Sequence, residues 1–144
     1  MNKGKPKDEY IIIVGCGRLG SHIANLFSKK KKSVVVIDKE SNAFRRLGVD
    51  FSGFTIEADA IEEDVLIEAK IDQADILIAV TDDDNANIMV AQIAKIIFNV
   101  PKVIARIFDV TMKKLYEGLD INIISPTILS AKKFIDIVEE GAEE

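Results

Sequence analysis

The sequence predicts a doubly wound α/β domain, and three observations carry that prediction. Apolar, β-branched runs alternate with amphipathic helical runs along the chain, the pattern of a parallel sheet covered by helices on both faces. The first apolar run, Tyr10–Val14, is β-branched at every position after Tyr10, as in a strand buried on both sides. Immediately behind it Gly15, Gly17 and Gly20 fall in G-x-G-x-x-G spacing and open an amphipathic stretch. Strand, glycine turn and helix in that order give a Rossmann-like sheet, for which the expected strand order is 3-2-1-4-5-6 in one domain.

Each element follows from its own pattern. After the first strand a helix is expected over 19–27, closed by the basic run 29–32, whose charge suits a helix C-terminus. Residues 33–37 read as the second strand and end at Asp38. A short helix near 41–47 leads to a third strand, Phe54–Glu57. Residues 61–69 are helical, with Ile61, Val65, Leu66 and Ala69 on one face. The run 74–80 is a buried fourth strand, and a long helix spans about 83–98. Pro101 punctuates before a fifth strand, 103–107. A helix over 110–119 aligns Met112, Leu115, Tyr116 and Leu119. A sixth strand, 121–124, precedes Pro126 and a last helix, 127–138. No internal repeat or low-complexity linker interrupts the series. Residues 1–9 are expected to be a disordered start, 10–140 the domain, and 141–144 an acidic, frayed tail.

The glycine spacing has a mechanical meaning. Gly15 permits the tight turn out of the strand, Gly17 lets a phosphate approach the backbone, and Gly20 lets the helix pack closely on the strand. Amide N–H groups at the helix start then favour an anion. Asp38 lies 18 residues past Gly20, near the ~20 at which such folds place an acid on ribose hydroxyls. Its carboxylate disfavours a 2′-phosphate, although the neighbouring Lys39 offsets that in part. Cys16 and Leu19 complete the loop. Cys16 reads as small filler, with a redox role the less favoured alternative.

Composition excludes several classes. The chain has 144 residues, 48% of them hydrophobic and 30% charged, with a net charge of −5. That is a single globular domain, and its acidity argues against nucleic acid as a major partner. One cysteine leaves no disulfide framework. No run approaches the ~20 apolar residues of a membrane span, and the first nine residues lack a signal-peptide core. A cytoplasmic location without direct membrane insertion is expected.

The crevice of such a sheet lies at the carboxyl ends of its first and fourth strands. Arg18, in the glycine loop, offers a charge-assisted phosphate contact or stands as an exposed arginine. Asp59 borders an adenine or caps the helix beginning near Ile61. Thr81, Asp82, Asp83 and Asp84 read as a helix cap with first-turn acids or as a carboxylate cation site. Arg106, ending a buried strand, needs a partner and is expected to pair with an acid of that cluster. His22, the only histidine, has no evident partner and reads as structural. The long and last helices are apolar nearly all round, which calls for burial on two sides. A homodimer or higher oligomer through these helices is expected.

In order along the chain, YIIIVGCGRLG, VVVID, EADA, ADILIAVTDDDNAN, VIARI and ISPT resemble the N-terminal RCK domain, also called KTN or TrkA-N, over about 10–131. The resemblance implies a cytoplasmic nucleotide-sensing domain of Trk or Ktr potassium uptake systems or of ligand-gated potassium channels. It implies NAD(H), AMP, ADP or ATP at Gly15, Gly17 and Gly20, with Arg18 on phosphates, sometimes across a subunit boundary. Asp38 is then implied on the ribose, Asp59 and Ala60 beside adenine, and Thr81, Asp83, Asp84 and Asn87 in the turn after the fourth strand. Ala58 departs from the glycine usual in relatives, and Gly118-Leu119 from the usual Leu-Gly. Many relatives add a C-terminal ligand-binding domain, for which this length leaves no room, so regulation through such a domain is not expected within this chain.

The function expected is a nucleotide-binding gating subunit acting on a potassium-transport membrane protein of the Trk or Ktr type. It is not expected to be an enzyme, since no nucleophile–base pair or substrate domain is visible. The alternatives are a small NAD-dependent oxidoreductase and a soluble nucleotide sensor with another output.

Overall fold

The computed structural model describes residues 8–140. The expected residues 1–7 of the loose start and the tail 141–144 lie outside the described residues. Six parallel strands form one sheet: β1 (Tyr10–Val14), β2 (Ser33–Asp38), β3 (Phe54–Glu57), β4 (Ile76–Ala79), β5 (Lys102–Arg106) and β6 (Asn122–Ile124). Their order is β3-β2-β1-β4-β5-β6, as expected. The register aligns Ile12 with Val35 on one side and Leu77 on the other.

Alternation along the central strands fills two cores. Ile12, Val14, Val35, Ile37 and Leu77 face one helical layer with Leu66, Val90 and Ala91. Ile11, Ile13, Val34, Val36 and Ile78 face the other with Ala24 and Ala43. Ile11, Ile12 and Ile13 are wholly buried, each contributing about 1.5–3 kcal/mol of burial. That two-sided burial is why the strand carries no polar residue.

The helices are α1 (Arg18–Lys29), α2 (Glu63–Glu68), α3 (Asp84–Gln92), α4 (Val110–Tyr116) and α5 (Pro126–Glu140). Segment Ser41–Arg46 is a 3₁₀ turn, and a second, unexpected one forms at Ile71–Gln73. The long helix departs from expectation: after Gln92 it widens into a π-helical turn, Ile93–Ile97. Phe98 N donates to Ile93 O at 3.2 Å and Val100 N to Ala94 O at 3.0 Å. Wider turns rotate the faces, leaving Ala94 buried and Ile96 and Ile97 exposed.

Glu9, expected in the loose start, is held by the fold. Its carbonyl accepts from Ser33 N at 3.2 Å, and its carboxylate pairs with Lys32 at 2.9 Å. Along α5 no residue is buried. Ala58, where the resemblance implies glycine, is not among the residues with positive φ, so its Cβ adds no backbone strain to that loop.

Candidate functional site

The three glycines do three different things. Gly15 has φ +107, and a Cβ there would lie 2.7 Å from Val80 O, so both conformation and space demand glycine. A Cβ on Gly20 would collide with the Gly15 carbonyl oxygen, because α1 sits directly on the end of β1. At Gly17, φ is −82 and a Cβ would meet nothing within 4 Å. Neither strain nor packing explains glycine at that position. What it provides is open backbone, the cradle a phosphate needs. Gly17 is also the N-cap of α1, supplies no side-chain cap, and is followed by no acid in the first turn. The positive end of the helix therefore faces outward uncompensated.

Asp38 is built into this loop. Its Oδ2 accepts from Cys16 N at 2.7 Å and its Oδ1 from Glu40 N at 2.8 Å. The carboxylate thereby fixes the glycine loop against the end of β2, and its remaining lone pairs are left for hydroxyl donors. Cys16 is wholly buried, and its thiol points to Ala43 O at 3.4 Å. Burial, reinforced by the Asp38 charge, pushes that thiol up to about 11, which disfavours the thiolate chemistry of a redox role.

A cleft of about 630 Å³ opens over the carboxyl ends of β2, β1 and β4. Gly15, Cys16, Gly17, Asp38, Lys39, Asp59, Ala60, Thr81 and Asp83 all line it. Arg18, Leu19, Gly20 and Asn87 do not. Arg18 and Leu19 are exposed on the first turn of α1, and Gly20 is buried beneath the loop. Asn87 is wholly buried. Its Oδ1 accepts from Thr81 N at 2.8 Å, and its Nδ2 donates to Thr81 O at 3.0 Å and Arg106 O at 2.9 Å. It shapes the cleft wall from behind. Asp59 turns back on its own loop, accepting from Ile61 N at 3.2 Å, while remaining on the cleft.

The acidic cluster divides its work. Asp83 caps α3, accepting from Asn85 N at 2.8 Å and Ala86 N at 3.2 Å. Asp84 accepts from Phe108 N at 2.8 Å and Asp109 N at 2.9 Å, tying the loop after β5 to α3. Asp82 lies 3.9 Å from Arg106. Among the described residues no group of His, Cys, Asp or Glu is placed to hold a metal ion. The expected Arg106–carboxylate pairing is correspondingly loose. The guanidinium donates instead to Val80 O and Thr81 O, both at 3.0 Å, and stacks 4.5 Å over Phe108. Its burial lowers its pKa, with Asp82 and then Asp84 opposing that shift. His22 is exposed on α1 and lies off the cleft.

Sequence reasoning missed Glu40, Asn42, Ala43, Arg46 and Val90, all of which line the cleft. The signal was present for the first four. They belong to the connection leaving β2 at the carboxyl end of the sheet, where crevice residues of this fold arise.

Strand order, glycine loop and carboxylate define the class as a Rossmann-like α/β domain whose phosphate-type loop faces a cleft at the sheet's carboxyl end. The chain belongs to the TrkA-N domain family, whose model matches residues 11–126. It is 36% identical over 135 residues to the Trk system potassium uptake protein TrkA of Streptomyces coelicolor, covering 93% of this chain and 60% of that protein. The chain thus spans only three fifths of that relative's length. Its fold matches the TrkA-N domain of the inner membrane protein ybaL from Escherichia coli with a TM-score of 0.80, at 17% identity, covering 94% of this chain and all of that one. It matches the GsuK channel bound to NAD with a TM-score of 0.79, at 23% identity, over 95% of this chain and 24% of that one.

Proposed function

We propose that residues 10–140 form a nucleotide-binding regulatory domain of a potassium-transport system, binding NAD(H) or an adenine mononucleotide. The observation that carries this reading is the pairing of Gly17 with Asp38. One offers bare backbone at an uncompensated helix N-terminus, and the other a carboxylate anchored to the same loop. A phosphate and a ribose are the two groups that pairing suits. The names of the relatives, Trk potassium uptake and a potassium channel bound to NAD, support the partner class and the ligand class.

The chain acts by binding and not by catalysis. Two of the cleft carboxylates, Asp38 and Asp83, already accept backbone amides. The one thiol in its lining is held protonated to about 11. Among the described residues no helix is long and apolar enough to cross a membrane. The domain works on the cytoplasmic face through a Trk- or Ktr-type membrane partner. Ile96 and Phe134 are each 72% exposed, and together with the other exposed apolar residues of α5 they favour a homodimer or a larger assembly. A ligand shifts such an assembly only by its differential affinity for two arrangements. A tenfold preference contributes about 1.4 kcal/mol, enough to bias a near-balanced switch.

Two measurements test the reading. Native mass spectrometry of freshly purified protein should show a copurifying adenine nucleotide. Reconstitution with a Trk-type transporter should give potassium flux that changes with the nucleotide added. Flux indifferent to both protein and nucleotide would remove the transport role.

A further inference from the structure

We propose that the opposite end of the sheet holds a second binding site, for a small organic anion with a flat apolar body. A cavity of about 650 Å³ lies at the amino ends of β1, β2 and β3, whereas the glycine loop and Asp38 stand at the carboxyl ends. Its lining shares no residue with the cleft, and its volume is that of a small-molecule site. The apolar wall comes from the sheet. The parallel register sets Phe54 beside Val35 and Ile56 beside Ile37, so both project from the face on which Val35 and Ile37 enter the core. Helices normally cover such a face of a parallel sheet. Here the helix after β3 is α2, with six residues and a length of about 9 Å, and Phe54 on the cavity wall is 74% exposed. Tyr10 brings a second ring to that wall, and its hydroxyl donates to Ala69 O. Two rings on an apolar wall suit a flat apolar body.

The rim is basic. Its charged residues are Lys31, Lys32, Lys70 and Glu68, in a chain whose net charge is −5. Lys32 pairs with Glu9 at 2.9 Å, while among the described residues Lys31 and Lys70 form no ion pair. Both are presented from helix ends in an uncommon way. At the end of α1, Lys31 N donates to Ser28 O at 3.0 Å and Lys32 N to Phe27 O at 3.1 Å. At the end of α2, Lys70 N donates to Ile67 O at 2.9 Å. The residue just past the cap of such an ending is left-handed, and glycine or asparagine is usual there. Lys31 and Lys70 take that conformation, at φ 61 and 60. The other non-glycine residues with positive φ among those described are Asn99 and Asp120, types that adopt it at little cost. Two helices thus each place a long cation where glycine would fit better, and both cations reach the same cavity. Unpaired ammonium groups over an aromatic wall complement a carboxylate, sulfonate or phosphate carried on a ring.

Fluorescence titration of the full chain with anilinonaphthalene sulfonate, a flat aromatic anion, tests this. One saturable site per chain is expected. The double variant Lys31→Gly, Lys70→Gly removes both charges and supplies the residue that suits the backbone. It should stay folded by thermal melting and bind the probe at least about tenfold more weakly, as for loss of a charged hydrogen bond. Phe54→Ser, at an exposed position on the other wall, should also weaken binding severalfold. Saturating NADH should leave the probe in place, and so should Phe134→Glu on α5. Absence of a saturable site, or unchanged affinity in the double variant and in Phe54→Ser, overturns the proposal. Displacement by NADH overturns it as well, by putting the probe in the cleft, and loss of binding in Phe134→Glu does so by putting it on α5.

Discussion

Gly17 and Gly20 sit three residues apart in one motif, yet substitutions there should fail in opposite ways. Valine at Gly17 enters open space at an ordinary φ, so the fold should survive with a melting shift of at most about 5 °C, as for loss of a weak cap. On the proposed nucleotide reading its side chain would occupy the phosphate's place, and calorimetry should show nucleotide binding lost. Alanine at Gly20 drives its methyl into the Gly15 carbonyl, and the expected cost is about 1–3 kcal/mol of stability, as for an overpacked core. Denaturant unfolding of both variants beside ligand titration separates the two roles. Cys16 gives a pH test. Its thiol rises from an ordinary value of 9.0 to about 11, so the unfolded chain loses that proton first. The stabilisation is complete below pH 9 and declines as pH rises toward 11. A thiol reagent at pH 8 should accordingly react with the unfolded chain far faster than with the folded one. Equal rates would mean that Cys16 is not shielded.

Among the elements, the junction of β4 with α3 is the one on which the cleft wall depends. Asn87, one turn into α3, bonds both the amide and the carbonyl of Thr81 and reaches Arg106 O across to β5. Removing that amide leaves buried backbone groups without partners, each costing about 1–3 kcal/mol. Asn87→Ala should therefore lower unfolding free energy by about 2–4 kcal/mol. It should also weaken nucleotide binding although Asn87 lies off the cleft, because Thr81 would no longer be held in the wall. A variant with normal stability would show that water replaces the amide at no cost. Beyond Gln92 the π-helical turn turns Ile96 and Ile97 outward. A continuous helix, which the apolar spacing suggested, would have distributed those residues differently.

For the molecule as a whole, the question is what covers the apolar surface that the sheet does not. Along α5, Leu129, Phe134, Ile135, Ile137 and Val138 are each more than half exposed, and on α3 and its extension Ile96 and Ile97 are as well. Ile93, by contrast, packs against the core and makes a poor probe of association. The better probes are Ile96→Glu and Phe134→Glu. Light scattering at micromolar concentration should show the unmodified chain as a dimer or larger, and either variant as smaller. A stable interface of this kind removes at least about 1,000 Å² from water. A monomeric parent chain would defeat the proposed assembly.

The sequence by itself determined the sheet. The β-branched run at Tyr10–Val14, the glycine spacing and the alternation of strands with helices point to a doubly wound parallel sheet, because each feature reports local backbone geometry or two-sided burial. It also placed Gly15, Gly17, Asp38 and Thr81 at one end of that sheet, since all lie at strand termini. Tertiary structure alone decided the rest. Whether Asn87 faces a ligand or the protein depends on how α3 sits against β5. Whether Arg106 meets a carboxylate or two carbonyls depends on which groups lie within reach of β5's last residue. Those outcomes are distances between elements far apart in the chain, and no local pattern of residues encodes them.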